Sequence, residues 1–407
     1  MGSIFKTIGI SLADTLSTTA FNRLRTAGEG NRVDVEFIYD NQDDLADEFV
    51  NGTGTVVFNG NPRDLTLATG GTGLTASAGV YTYPAPYTPG NGQEIEMTGV
   101  MDMAAIGGGT AEFFLRSSVS GVPVELESVP SAQWANQDIV NSIDWTKSHI
   151  LVMDFQSLKV GRIRFGINTG GITIPLASIE NDNKYNTGYW QYPQQPAFWN
   201  IYNLGAETIM EMGYGDTENA IGLRYRIPIN AGATMKAICA TVKSEGGVAI
   251  RDLEGLNRGI SMGATTKTVS TTLIPLISIR PKTTFQTYTN RGIALPKGFT
   301  VYTDNPINLV VLHDVTLVGS PSWTDVDTGE SMMEYDTAAS GYSNGHPVSV
   351  DYAGGAKNTG VSTGSILGKT ILWNRRGART GILTLAAVRV GTTNASVAAG
   401  FNWGEIR

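Results

Sequence analysis

The stretch Lys159-Val-Gly-Arg-Ile-Arg-Phe-Gly-Ile167 indicates the fold class of this chain. Within it, the apolar residues Ile163 and Phe165 alternate with the charged residues Arg162 and Arg164. A β-strand places successive side chains on opposite faces, whereas a helix would scatter these residues around its axis. The stretch therefore predicts a strand whose apolar residues enter a core and whose two arginines face solvent.

The same two-residue alternation recurs along the chain. Residues 149–155 form a continuous apolar run of strand length, which predicts a central strand buried on both faces. Clusters of Gly, Asn, Pro and Thr, such as residues 59–62 and 89–92, separate the runs as turns between antiparallel strands would. Further predicted strands lie at residues 33–39, 223–227, 299–302, 307–312 and 382–388.

Helical signals are scarce in this sequence. Short helices are predicted at residues 131–134 and 201–210, and strands do not alternate with long helices as in a parallel α/β fold. No fixed-period repeat points to a propeller or a solenoid. The predicted fold class is all-β, with antiparallel β-sandwiches.

The length of 407 residues predicts two domains rather than one core. Residues 1–30 are too poor in apolar residues to close a core and are interpreted as an N-terminal docking arm. A large β-sandwich is expected at 31–243 and a second β-sandwich at 263–407. A break in composition places a linker at 244–262.

The charge balance limits the possible partners. The formal net charge is −8, and no run of Lys and Arg is long enough to follow a phosphate backbone, so nucleic acid is not an expected partner. No apolar run reaches the length of about 18 residues that would span a membrane. Charged residues make up only 16% of the chain, which suits a surface that neighbouring subunits cover. A β-rich monomer with uncharged polar outer faces is the alternative.

The single cysteine and the three histidines offer little chemistry in the sequence. Cys239 lies in an apolar run, is expected to be a small buried hydrophobe, and cannot form a disulfide within the chain. None of the histidines His149, His313 and His346 has a second His or Cys at metal-ligand spacing, so no metal site is predicted. Residues 325–330 resemble an incomplete calcium loop and are interpreted as a polar hairpin turn.

Two glycine motifs resemble catalytic signatures only in part. Gly259-Ile-Ser-Met-Gly263 matches a nucleophile elbow, but a Thr-rich, strand-like segment follows it where a helix is required. Residues 364–370 have one residue too few between their glycines for a phosphate-binding loop. We therefore expect no enzyme activity and no cofactor, although paired carboxylates of a glycosidase would leave no trace in sequence spacing.

An aromatic segment spans residues 185–202. Four of its aromatic residues are candidates for a surface that contacts a neighbouring subunit or a glycan, because flat rings beside Asn and Gln suit both partners. The alternative is that Phe198, Trp199 and Tyr202 cap a sandwich core. The four candidates are Tyr185, Tyr189, Trp190 and Tyr192.

Several motifs resemble a known group of virus proteins. Phe21-Asn-Arg-Leu-Arg25 is similar to the Phe-Gly-Arg-Leu-Arg motif of minor structural proteins of tailed bacteriophages, especially marine and cyanobacterial phages, with Asn22 in place of the usual Gly. The chain order of further blocks agrees with that family. These blocks are residues 152–156, 160–166, 193–196 with Trp199, 239–247, 305–306, 322–323 and 403–405.

The resemblance implies a non-enzymatic virion component of the head, a fibre or the tail, assembled in the host cytoplasm. It also implies jelly-roll sandwiches similar to concanavalin and laminin-G domains. Such a protein would contact other virion proteins and form a homo-oligomer, commonly a trimer. In the docking arm, Phe21 and Leu24 would bury apolar surface while Arg23 and Arg25 pair with acceptors on the partner. Recognition of host surface glycans is the alternative function.

Overall fold

The computed structural model describes residues 30–70, 75–87, 91–102, 109–156, 159–228, 232–244, 255–354, 370–375 and 381–407. Almost all regular structure in these residues is β-strand. The helices among them are one 3-10 turn at Ser131–Gln133 and the single α-helical turn α1 at Gln137–Val140. No helix in the described part of the chain is long and apolar enough to cross a membrane.

The strands before residue 245 build one group of two sheets. They are β1 (Gly30–Glu36), β2 (Ala46–Asn51), β3 (Thr55–Asn59), β4 (Asp64–Thr69), β5 (Ala76–Thr82), β6 (Gln93–Asp102), β7 (Thr110–Ser117), β8 (Val124–Pro130), β9 (Ser148–Phe155), β10 (Ile163–Thr169), β11 (Ile172–Ile179), β12 (Ala197–Asn203), β13 (Thr208–Gly215), β14 (Ala220–Ile227) and β15 (Ala233–Ser244).

These strands pair antiparallel throughout. An eight-stranded sheet has the order β11-β10-β9-β6-β15-β4-β3, with β1 also paired to β15. A seven-stranded sheet has the order β2-β5-β12-β13-β14-β7-β8. The two sheets pack face to face, because side chains from both meet in one core: the stacked rings of Phe113 in β7 and Phe165 in β10 have centroids 4.6 Å apart.

The strands after residue 254 build a second group. They are β16 (Leu256–Ser261), β17 (Lys267–Val269), β18 (Ile274–Pro281), β19 (Thr284–Phe285), β20 (Tyr288–Thr289), β21 (Ile293–Thr303), β22 (Ile307–Val318), β23 (Thr324–Asp325), β24 (Met333–Asp336), β25 (Gly341–Ala353), β26 (Leu372–Trp373), β27 (Leu383–Arg389) and β28 (Ala395–Ile406).

The second group also forms a sandwich. A five-stranded sheet has the order β16-β28-β21-β26, with β17 paired to β28, and a six-stranded sheet has the order β23-β24-β18-β27-β22-β25. Phe401 and Trp403 of the first sheet pack with Leu309 and Leu385 of the second in a shared core. Strands β19 and β20 form a separate small hairpin. The predicted all-β fold class with antiparallel β-sandwiches is confirmed.

Most predicted strands are present. The apolar run at 149–155 lies in β9, which pairs with β6 on one side and β10 on the other, and its residues from Leu151 to Phe155 are buried. The alternating runs at 223–227, 299–302 and 307–312 lie in β14, β21 and β22. Continuous apolar sequence thus marks the central strand, since both faces of that strand are covered.

Three local predictions are wrong. Residues 201–210 are not a helix but the end of β12, a turn and the start of β13, and Gly205 has a φ of +84° in that turn. Arg164 does not face solvent: it is 1% exposed and forms an ion pair with the buried Asp154 of the neighbouring strand. Residues 256–261, assigned to the linker, form β16 because they pair with β28.

Candidate functional site

A cleft of about 530 Å³ lies where the two sandwiches meet. One wall comes from the loop before β12, and the other comes from the β19–β20 hairpin and the residues after it. The volume is within the range of ligand pockets, roughly 300–1,000 Å³. The side chains that matter for its chemistry are Trp190, Gln191, Tyr192, Gln194, Tyr288 and Arg291.

An ion pair joins the two sandwiches beside the cleft. Arg291 Nη2 lies 2.7 Å from Asp216 Oδ2, and the Asp216 side chain also accepts hydrogen bonds from the backbone N–H groups of Glu218 and Asn219 at 2.7 and 2.8 Å. The Tyr192 hydroxyl donates to Glu218 Oε2 at 2.9 Å. Burial, together with the nearby Asp216 carboxylate, raises the pKa of Tyr192, so its hydroxyl stays neutral.

The β19–β20 hairpin projects an aromatic side chain at the opposite wall. Its two turn residues, Gln286 and Thr287, have φ values of 52° and 72°. Left-handed values at both central positions are typical of a type I′ turn, which usually contains Asn and Gly. Tyr288 is 65% exposed, while Phe285 is half-buried beneath the guanidinium of Arg407 at 5.0 Å from its ring centre. The hairpin thus leaves the ring of Tyr288 accessible to a ligand.

A second depression of about 680 Å³ continues from the cleft. It reaches Leu256 of β16, and the Gln194 side-chain amide crosses the junction to donate to the backbone oxygen of Arg407 at 3.0 Å. We call the two connected depressions the inter-sandwich groove. The residues that line both are Lys159, Gln191, Tyr192, Gln194 and Arg407.

The groove offers binding groups rather than an activated nucleophile. Amides, a phenol and guanidinium groups donate and accept hydrogen bonds, and aromatic rings provide flat apolar surface. Three carboxylates beside the groove have structural partners: Asp216 pairs with Arg291, Glu218 accepts a hydrogen bond from Tyr192, and Glu405 binds Arg407, Trp403 and Ser331.

The four aromatic candidates from the sequence do not form one exposed platform. Trp190 and Tyr189 are each 1% exposed, and Trp190 packs edge-on against Phe155 of the core with centroids 5.4 Å apart. Tyr185 is half-buried away from the groove lining, whereas Trp190 and Tyr192 both line the cleft, and of these two Tyr192 is the more exposed. The segment folds inward because its large rings gain more from burial than a surface position allows.

Those of the other sequence motifs that lie in the described residues show no catalytic arrangement. Ser261 ends β16, and its hydroxyl accepts a hydrogen bond from the N–H of Gly263 within a turn, not at the start of a helix. Asp325 pairs with Lys282 at 2.9 Å in the predicted polar hairpin. The docking-arm residues Phe21, Arg23, Leu24 and Arg25, and the glycine motif at 364–369, lie outside the described residues.

Sequence reasoning missed the second wall of the groove. Tyr288 and Arg291 carry no motif, and they reach Tyr192 only through the contact between sandwiches. The one available signal was the two-residue spacing between Phe285 and Tyr288, which suits a hairpin, but the turn lacks glycine. A separate group of metal-ligating side chains, Asp44 with two histidines, lies outside the groove lining.

Comparison with known proteins finds similarity to solved structures but not to a family model or a curated protein. No protein-family model matches the sequence, and no curated protein matches it. Solved structures align over about half of the chain.

Three of these structures show how distant the similarity is. An endo-1,3-beta-glucanase from Streptomyces sioyaensis is 13% identical with a TM-score of 0.31, and the alignment covers 54% of this chain and 97% of the enzyme. Lectin I from Ulex europaeus, in complex with a methyl glycoside of alpha-L-fucose, is 11% identical with a TM-score of 0.21 over 54% of this chain and 98% of the lectin. A legume lectin-like domain from Entamoeba histolytica is 12% identical with a TM-score of 0.20 over 52% and 97%. TM-scores this low support no statement about function.

Proposed function

We propose that this protein is a non-enzymatic binding protein that recognises a glycan of a host surface in the inter-sandwich groove. The observation that carries the proposal is the exposed ring of Tyr288 opposite Tyr192, with amide and guanidinium groups between them. A sugar ring has apolar C–H faces and a polar rim of hydroxyls. It therefore needs flat aromatic surface and several hydrogen-bonding groups in the same cleft.

The dimensions of the groove favour a chain of several sugars over a single small molecule. Its two connected depressions have volumes of about 530 and 680 Å³ and share the side chains of Gln191, Tyr192 and Gln194 along their border. A linear oligosaccharide could occupy both while those amides contact its central rings. The strained left-handed turn of the β19–β20 hairpin fixes Tyr288, which limits the entropy lost when a ligand binds.

Binding without hydrolysis agrees with the state of the carboxylates. A glycosidase needs two carboxyl groups free to act on the substrate from both sides of the scissile bond. Asp216 accepts two backbone hydrogen bonds and the Arg291 ion pair, and Glu405 is 1% exposed among its own partners. Both carboxyl groups therefore hold the walls of the groove together.

The test is a glycan array probed with wild type and with Tyr288→Ala, followed by titration of the best glycan. We expect the substitution to weaken binding about tenfold or more, because it removes an exposed aromatic contact surface. Tyr302→Ala is the matched control, since Tyr302 is also exposed, at 39%, but lies on β21 outside the groove. Equal binding by both variants, or no glycan bound by wild type, would overturn the proposal.

We also propose that the protein assembles with copies of itself as a structural component of a bacteriophage particle, as its sequence motifs suggest. The supporting observation is strand β25, which is 13 residues long and pairs with β22 alone among the described strands. Its outer face exposes Val350 and Tyr352 at 56% and 67%. A long edge strand with exposed apolar side chains is a common surface for strand addition by another copy.

This second proposal is tested by the size of the purified protein in solution and by its presence in particles. We expect Val350→Lys with Tyr352→Lys to dissociate a homo-oligomer in light scattering, while Val57→Lys, on the edge strand β3 of the other sandwich, leaves it intact. If residues 1–30 are a docking arm, the double variant Phe21→Ala with Arg23→Ala should prevent incorporation into phage particles. A monomeric wild type, or full incorporation of the arm variant, would contradict these expectations.

A further inference from the structure

Two of the three histidines face each other in the second sandwich. Strands β22 and β25 are paired antiparallel with His313 directly opposite His346. Directly opposed residues on neighbouring strands place their side chains on one face, with Cβ atoms about 4.5–5.5 Å apart. The two imidazole rings accordingly have centroids 5.4 Å apart and are nearly perpendicular, with an interplanar angle of 86°.

A carboxylate from the first sandwich completes the group. Asp44 lies in the loop before β2, and its Oδ1 is 3.2 Å from His313 Nδ1 and 3.0 Å from His346 Nε2. His346 Nε2 is buried and, among the described residues, makes no hydrogen bond, so its close approach to Asp44 is poorly aligned for one. His313 is 2% exposed. Hydrogen bonding between the three side chains therefore accounts for only part of their arrangement.

The three potential ligand atoms lie close enough together for one metal ion to bind them after small side-chain movements. They all lie within 4.8 Å of one another. In a tetrahedral zinc site with bonds of about 2.0–2.1 Å, neighbouring ligand atoms are separated by about 3.3–3.4 Å. The two distances from Asp44 Oδ1, 3.0 and 3.2 Å, need only small side-chain adjustments to reach that separation.

The surroundings provide access and a favourable charge balance. A depression of about 310 Å³ borders Asp44 and His346, and Asp40 and Asp43 also line it. Arg375 is a cation beside this group: its guanidinium lies 3.3 Å from Asp314 Oδ2 and donates to the backbone oxygen of Asp43 at 2.6 Å. Its charge is therefore balanced by Asp314, and its hydrogen bond holds the loop that carries Asp44.

We propose that Asp44, His313 and His346 bind one divalent transition-metal ion of the zinc type. Each side chain supplies one ligand atom, and water reaches the remaining coordination position from the acidic depression. Two imidazoles and one carboxylate favour zinc over calcium, because calcium takes six to eight oxygen ligands. The site does not involve the groove, so it goes beyond the proposed glycan recognition.

A bound ion would also join the two sandwiches. Asp44 precedes β2 of the first sandwich, whereas both histidines belong to the six-stranded sheet of the second. An ion that binds the folded chain and not the unfolded chain raises its unfolding temperature. Zinc is therefore expected to raise the unfolding temperature by several degrees at concentrations far above its dissociation constant.

The test is calorimetric titration of the full chain, treated with EDTA and dialysed, with zinc chloride and separately with calcium chloride. We expect one zinc ion per chain with a dissociation constant of about 1 μM or below, and no calcium binding at the same concentrations. His346→Gln and Asp44→Asn should each weaken zinc binding by about 100-fold or more. Even residues that only hydrogen-bond a metal ligand, without touching the metal, typically change metal affinity by about 10–100-fold. Both variants should also abolish the zinc-dependent rise in unfolding temperature.

His149→Gln is the matched control, because His149 contacts the backbone oxygen of Asp144 and lies outside the group. It should bind zinc as wild type does. His346 has a 40% exposed side chain, so its replacement is compatible with folding, which circular dichroism will verify. Failure of wild type to bind zinc, or wild-type affinity in His346→Gln, would overturn the proposal.

Discussion

At the scale of single residues, one buried carboxylate links three strands of the seven-stranded sheet. Glu211 in β13 is fully buried on the outer face of the seven-stranded sheet. Its Oε1 lies 2.7 Å from Arg116 Nη2 and 2.7 Å from Arg224 Nε. Burial alone would raise the pKa of Glu211, but the two guanidinium groups outweigh that effect and lower it.

Glu211→Gln is expected to destabilise the protein by about 3 kcal/mol, because it leaves Arg116 and Arg224 without their shared carboxylate in a buried position. Urea denaturation followed by circular dichroism measures the change. The control Glu127→Gln removes a carboxylate that pairs with the exposed Lys184, and its cost should stay below about 1 kcal/mol. Similar costs for both substitutions would contradict the importance of burial.

The same carboxylate predicts a dependence of stability on pH. Since the pKa of Glu211 in the folded state lies below its usual value of 4.5, the ionised group contributes stability above that value. The contribution is lost as the pH falls through the folded pKa. Denaturation at about pH 5 and about pH 3 should therefore show a smaller loss of stability for Glu211→Gln than for wild type.

The residues of β10 show how much of side-chain burial could be predicted from the sequence. The alternation at 159–167 predicted a strand with Ile163 and Phe165 in the core, and both are fully or almost fully buried. It also predicted an exposed Arg164, which is instead buried beside Asp154. Alternation reports which face a side chain takes, but not whether that face is covered. A charge can lie on a covered face when an opposite charge on the next strand compensates it.

At the scale of elements, the seven-stranded sheet depends on a pair of glycines. Gly213 in β13 lies opposite Gly222 in β14. Phe198 of β12 is the cross-strand neighbour of Gly213, and Phe114 of β7 is that of Gly222. Both rings are buried in a small cluster on the outer face of the sheet. The two glycines leave space between strands where a side chain would displace the backbone.

Gly213→Ala is expected to destabilise the protein by about 2 kcal/mol or more, because its Cβ would lie 2.1 Å from the backbone oxygen of Ile221. Thermal unfolding measures the effect. Gly60→Ala is the control, since Gly60 lies in the β3–β4 turn and its Cβ would meet nothing nearer than a Phe58 ring atom at 3.9 Å. An equal shift in both variants would show that the loss is not steric.

A strand could be predicted from the sequence where its own residues carry the pattern. It could not be predicted where pairing with distant strands determines the structure. The run at 149–155 is a strand by its composition alone. Residues 201–210 carry apolar residues at a spacing that also suits a helix, yet β12 and β13 form because each completes a ladder with neighbouring strands. His313 and His346 are 33 residues apart in sequence, and only the register of β22 and β25 brings them together.

At the scale of the whole molecule, the two sandwiches share buried contacts at their junction. Ile293 and Trp373 belong to strands of the second sandwich but pack in the core of the first. The Arg291–Asp216 ion pair, whose side chains are 11% and 0% exposed, joins the same region. Contacts of this kind couple the unfolding of two units, because neither can open without exposing surface on the other.

Arg291→Leu is expected to separate the unfolding of the two sandwiches in differential scanning calorimetry. It leaves the buried Asp216 without its cation at the junction, at a cost of about 3 kcal/mol, while each sandwich keeps its own core. Wild type should unfold in one transition, and the variant should unfold in a broadened or double transition. Arg258→Leu removes a more exposed arginine that pairs with Glu330 inside the second sandwich, so it should keep the single transition. If Arg291→Leu also unfolds in one sharp transition, the apolar contacts of Ile293 and Trp373 suffice to couple the two sandwiches.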